Sequence, residues 1–87
     1  MIVSKETTEK LARYIASELL NQANLVIGID DDLLGSGLLD SLSVMSLVYH
    51  IEQDVGITIP AEDVLIENFG SLSAIERYVG RRRGEQA

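Results

Sequence analysis

Eighty-seven residues, 46% of them hydrophobic, with a single proline and no cysteine, set the scale of one small domain rich in helix formers. Without cysteine the chain has no disulfide, no thiolate metal site and no thiol chemistry of its own. Its net charge of −7 is unevenly spread: from Tyr14 to Glu76 there are eleven acidic residues and no lysine or arginine, a distribution that repels phosphate backbones and points away from nucleic acid. The same acidity either attracts basic protein surfaces or merely keeps a small domain soluble, and charge alone does not choose between them.

The N-terminal stretch MIVSKETTEK has no apolar signal core, and no run approaches the length of a membrane span, so a soluble cytoplasmic protein without membrane insertion is expected. Leu11, Ile15 and Leu19 recur at i, i+4, i+8, widened by Ala12, Ala16 and Leu20, and predict a first helix over Lys5 to Gln22. From Ala23 to Asp40 the periodicity breaks into a long loop carrying three glycines and the triplet Asp30, Asp31, Asp32. Such long loops are uncommon in compact domains and often functional. Val26, Ile29, Leu33 and Leu38 or Leu39 are expected to pin it to the helices.

A second helix is predicted from Ser41 to about Val55, with Asp40 as its N-cap and Gly56 as the residue that ends it. Leu47, Val48, Ile51 and Val55 form one apolar stripe; Leu42, Met45 and Tyr49 form another, rotated well away from it. One helix of a small domain rarely buries both, so the second stripe is either a partner surface or ordinary core. Ile57 to Pro60 reads as extended, because a residue before proline is pushed out of the α region. A short helix over Ala61 to Glu67 follows, then a turn over Asn68 to Ser71. Ser71 caps a last helix that runs to about Arg83, with Leu72, Ile75 and Val79 inward and Tyr78 at the edge. The expected domain spans residues 1–87, with a core over about 5–83 and a frayed tail over 84–87.

Ser41 stands between Asp40 and Leu42 at a helix start. It does not fit the G-x-S-x-G elbow of a hydrolase, and neither does Ser36. His50, the sole histidine, lies nine residues on, about 13 Å along a helix and roughly half a turn around it, so it cannot act as a base on Ser41. His50 is read as a surface or rim residue. The run from Asp30 matches a calcium loop at positions one, three and six, but Leu34 and Ser41 stand where ligands are required at five and twelve. No metal site is assigned. There remains a serine without an internal activator, after a glycine-containing loop, at the positive end of a helix. A phosphate esterified there would meet free N–H groups. A plain helix-start serine fits the same residues.

Leu38–Leu42 (LLDSL) before an apolar helix, then GITIP, an acidic short helix and NFGSLSAIERYV, resembles the acyl carrier protein superfamily, which includes peptidyl and aminoacyl carriers. The likeness covers about Thr7 to Val79. It implies an all-α, up-and-down four-helix bundle of three longer helices and one short, with a long loop after the first. It implies that Ser41 receives 4′-phosphopantetheine from coenzyme A through a phosphopantetheinyl transferase, and that Asp40 helps orient that enzyme. The arm's thiol would hold acyl or aminoacyl groups as thioesters, which fits a chain without cysteine and without catalytic activity of its own. Leu42, Met45 and Tyr49 match positions that the family exposes to partners: a loading ligase and downstream acyl-transferring enzymes.

Carriers of fatty-acid synthesis usually place acids on the partner face of the second helix, where this chain has Ser43 and Ser46. SGLLDSL also looks more like peptidyl, aminoacyl or D-alanyl carriers than the GADSL of fatty-acid synthesis. A specialised, stand-alone, monomeric carrier is therefore expected. Two rivals from other classes are an unmodified helical adaptor using the Leu42, Met45, Tyr49 stripe, and a divalent-cation sensor built on Asp30 to Asp32.

Overall fold

The computed structural model describes residues 5–86. Helix α1, Lys5–Tyr14, continues through a π-helical turn, Ile15–Leu19. Its stripe is read correctly: Leu11, Ile15 and Ala16 are buried, with Ala12, Leu19 and Leu20 packed at the margin. The helix ends before the predicted Gln22. Asn21 adopts a left-handed φ of 53°, a conformation that asparagine tolerates better than most residues. The Leu20 N–H donates to the Ile15 carbonyl (2.9 Å) and the Gln22 N–H to that of Ala16 (2.7 Å), closing the last turn.

The loop that follows is pinned by fewer side chains than expected. Leu33 and Leu39 are buried, whereas Val26, Ile29 and Leu38 are exposed. Ile27 packs against the core instead. In irregular chain neighbouring side chains diverge, so burying Ile27 turns Val26 outward. Ile29 pins the loop through its backbone, its carbonyl accepting from the Ser73 N–H at 2.8 Å. Two further bonds close the segment that leads to Ser41: Leu33 N–H to the Gly70 carbonyl (2.7 Å) and Leu39 N–H to the Leu33 carbonyl (2.9 Å). Gly70 is needed at this junction, because a Cβ there would lie 2.5 Å from the Ile66 carbonyl oxygen.

Helix α2, Ser41–Ile51, also continues through a π-helical turn, Glu52–Gly56, where Gly56 at φ 78° ends it. Ile57 and Ile59 then reach into the core, and the Glu52 carboxylate accepts from the Ile59 N–H at 2.9 Å. The single short helix predicted over Ala61 to Glu67 is two pieces: a 3₁₀ turn, Ala61–Asp63, and α3, Ile66–Phe69. The reason lies at Asp63. Its carbonyl accepts from the Leu65 N–H and from Asn68 Nδ2, both at 2.9 Å, which interrupts the helical ladder. Asn68 and Phe69, predicted as turn, therefore belong to α3.

Helix α4, Leu72–Gln86, starts at Ser71, whose hydroxyl accepts from the Ala74 N–H at 3.2 Å. Leu72, Ile75 and Val79 are buried as read. Tyr78 is not at the edge: it is 1% exposed, tilted against Phe69 with ring centroids 5.3 Å apart. The helix passes Arg83 because its last turns are held. Arg82 Nη2 donates to the Thr58 carbonyl at 2.9 Å, and Arg82 also pairs with Glu85 at 3.8 Å. Among the described residues there is no strand, and three longer helices and one short one surround a single apolar cluster. This is the four-helix arrangement that the resemblance implies.

Candidate functional site

The buried pair Leu33 and Leu39 holds both ends of a short exposed excursion, and the chain leaves it directly into Asp40 and Ser41. Asp40 is extended (φ −89°, ψ −179°), and its Oδ1 accepts from the Ser43 N–H at 2.8 Å. That backbone bond comes first among the causes that hold the Asp40 carboxyl below its ordinary range, followed by the hydroxyl of Ser43. The predicted N-cap is in place, and the carboxylate sits at the positive end of α2.

Ser41 is the first residue of α2 and is exposed. Among the described residues none hydrogen-bonds its hydroxyl. His50 is occupied elsewhere, its ring stacked on that of Tyr14 with centroids 3.8 Å apart and 7° between planes. Beside Ser41 lies an open groove of about 320 Å³ lined by Leu34, Leu39, Asp40, Ser41, Val44, Met45 and Val64. A reachable hydroxyl at a helix start, with room beside it and no base to activate it, can accept a group delivered by another enzyme. It cannot perform nucleophilic catalysis unaided.

The two stripes of α2 separate cleanly. Leu47, Val48 and Ile51 are buried, while Leu42 is 80% exposed, Met45 58% and Tyr49 64%. Val55, assigned to the inner stripe, is only half-buried. Ser46 is exposed and Ser43 half-buried. The sequence reading missed the opposite wall of the groove. Val64 lines it, and Leu65 and Ile66 beside Val64 are 46% and 66% exposed. The signal was the run Val64-Leu65-Ile66, three apolar residues that no helical or strand period places on one face. The aspartates of the loop serve its turns: Asp31 Oδ2 accepts from Gly28 N–H (2.8 Å), Asp32 Oδ1 from Gly35 N–H (2.7 Å) and Asp30 Oδ1 from Ser73 Oγ (2.9 Å).

The family model for the phosphopantetheine attachment site matches residues 7–79. The chain belongs to this family. A search of curated proteins finds no match. Members of the family are carriers: they bear 4′-phosphopantetheine covalently, lack catalytic activity of their own, and work with phosphopantetheinyl transferases and acyl-handling enzymes. The residues at the start of α2 fit such a group, since the hydroxyl is free, the helix end favours a phosphate and the groove leaves space beside it. When bound, the group supplies a terminal thiol for thioester linkage, chemistry that a carrier without cysteine otherwise lacks. Among the described residues no helix of this carrier is long and apolar enough to cross a membrane.

Proposed function

We propose that Ser41 is the residue to which 4′-phosphopantetheine is attached, and that the protein is a specialised stand-alone carrier of acyl or aminoacyl groups. The observation that carries this reading is the Ser41 hydroxyl: exposed, without a hydrogen-bond partner among the described residues, and set on the first residue of a capped helix. Asp40 supports it by fixing the backbone around that hydroxyl and by placing a carboxylate where the transferase must approach. The role assigned to Leu42, Met45 and Tyr49 is contact with partner enzymes. Their exposure supports it, because large apolar side chains grouped on one helix face mark interaction surfaces.

The specialised character rests on Ser43 and Ser46, which stand where carriers of fatty-acid synthesis usually present acids. Partners would then read this helix through apolar contact. A loading ligase and downstream acyl-transferring enzymes are its partners in this reading, in the cytoplasm, with the carrier acting as a monomer. Incubation with coenzyme A and a promiscuous phosphopantetheinyl transferase, followed by intact-mass measurement, tests the attachment. The wild type gains one arm and Ser41→Ala none. An unmodified wild type would return the protein to the class of helical adaptors, and a modified Ser41→Ala would move the site elsewhere.

A further inference from the structure

The wall of the groove opposite α2 is weakly built. Its core-facing anchor, Phe69, lies at the far end of α3, while the near end offers Leu65 and Ile66 to solvent. Between Ala61 and Glu67 no hydrophobic side chain is fully buried, and Val64 packs against the core only from its margin. Beyond its local bonds, one side-chain hydrogen bond ties it to α4. Tyr78, from the middle of α4, donates its hydroxyl to Asp63 Oδ2 at 2.6 Å. Among the described residues it is the one side chain outside the segment and α3 that hydrogen-bonds to this segment. Tyr78 itself cannot drift, because its ring is buried against Phe69 and Arg81 lies over it at 5.4 Å from the ring centre. The residue next to Asp63 is Val64, which lines the groove beside Ser41.

We propose that the Tyr78–Asp63 hydrogen bond is a latch that sets Val64 against the Ser41 groove, with the exposed Leu65 and Ile66 beside it in the chain, making both partners positioning residues for attachment of the arm. A neutral phenol donating to a carboxylate is a strong, directional tie, and losing it leaves the segment to the marginal packing of Val64 and its own local bonds. The transferase must fit the groove wall and the start of α2 together, so a loose wall weakens recognition of the carrier while the Ser41 hydroxyl stays as reactive as before. The kinetic part of this inference rests on Ser41 being the attachment residue; the structural part does not.

The test compares Tyr78→Phe, Asp63→Asn and Asp63→Ala, at a temperature where melts show each folded. Methyl NMR of the unmodified proteins reads the wall, and loading from coenzyme A by a promiscuous transferase reads recognition. Tyr78→Phe is expected to shift and broaden the Val64 and Ile66 methyls while those of Leu47 and Ile15 stay in place. Its KM for the transferase should rise about fivefold with kcat unchanged, the lower end of coupling between separated sites. Asp63→Asn retains an oxygen acceptor and should stay within about twofold of wild type, the range of independent changes, whereas Asp63→Ala should match Tyr78→Phe. A Tyr78→Phe protein with wild-type Val64 methyls and KM overturns the latch, and so does Asp63→Asn impaired as much as Asp63→Ala. If Tyr78→Phe does not fold, Asp63→Ala against Asp63→Asn decides the same point. An arm gained by Ser41→Ala would instead overturn the attachment residue, and the methyl shifts would still decide the latch.

Discussion

Asp40 acts chiefly through its bond to the Ser43 N–H, and the consequence is a defined pH dependence. The carboxyl is held below its ordinary value by the Ser43 N–H, so the stability it lends is present above about pH 4 and is lost as pH falls through the lower folded value. Asp40→Asn keeps a neutral capping oxygen and should lower the melting temperature at pH 7 less than Asp40→Ala. Both variants should lose this group's share of the acid-induced decline, which melts across the acid range would read. Tyr78 has the opposite sign. Burial, reinforced by the Asp63 hydrogen bond and charge, pushes its phenol above the usual tyrosine range. Its stabilising share is complete below about pH 10 and is lost as pH climbs from there toward the folded value. Tyr78→Phe should therefore be less stable than wild type at pH 7, with the gap narrowing in alkali.

Helix α2 divides two tasks between two faces, and substitutions should divide with them. Leu47 is fully buried and Leu42 largely exposed. Leu47→Ala should cost about 2–5 kcal/mol through the lost side chain and the cavity left behind, whereas Leu42→Ala should stay within about 0.5 kcal/mol. Urea melts of the pair check this directly. The outer face should matter in loading instead. Burying a leucine, methionine or tyrosine side chain at an interface contributes about 1.5–3 kcal/mol, against about 1 kcal/mol or less for an exposed, salt-screened ion pair. On the holo-protein, Met45→Ala and Tyr49→Ala should slow the cognate ligase more than Ser46→Ala does, with melting temperatures little changed and the effect persisting at higher salt. Normal loading by both would remove the stripe from the docking surface.

Over the molecule as a whole, charge is the long-range force that no local contact settles. The acids from Glu18 to Glu76 lie in a span without lysine or arginine, and the Arg82–Glu85 pair sits beyond it, near the end of α4. Like charges on so small a body repel at low ionic strength, and salt screens them over a Debye length of about 10 Å at 0.1 M. The melting temperature at neutral pH should accordingly rise between low and moderate salt. A flat response between low and moderate ionic strength would count against this repulsion.

Much of this protein is legible in local sequence because local rules suffice for it. The stripe Leu11, Ile15 marks the inner face of α1, Asp40 before Ser41 marks a helix start, and Gly56 marks a helix end. The attachment-site family is legible for the same reason: its motif is a short run at a capped helix, and the match spans 7–79. Local sequence could not say which of two apolar stripes on α2 is inside, since both have helical spacing; the surrounding packing leaves Leu42, Met45 and Tyr49 outside. Nor could it find Tyr78 in the core, Ile27 in place of Val26, or the break at Asp63. Tyr78 and the backbone of Ile29 have partners distant in the chain, Asp63 and Ser73, and the break at Asp63 comes from the Asn68 side chain folding back onto its carbonyl. Residue type and spacing set the elements, and burial and hydrogen bonds between elements decided which face of each looks outward.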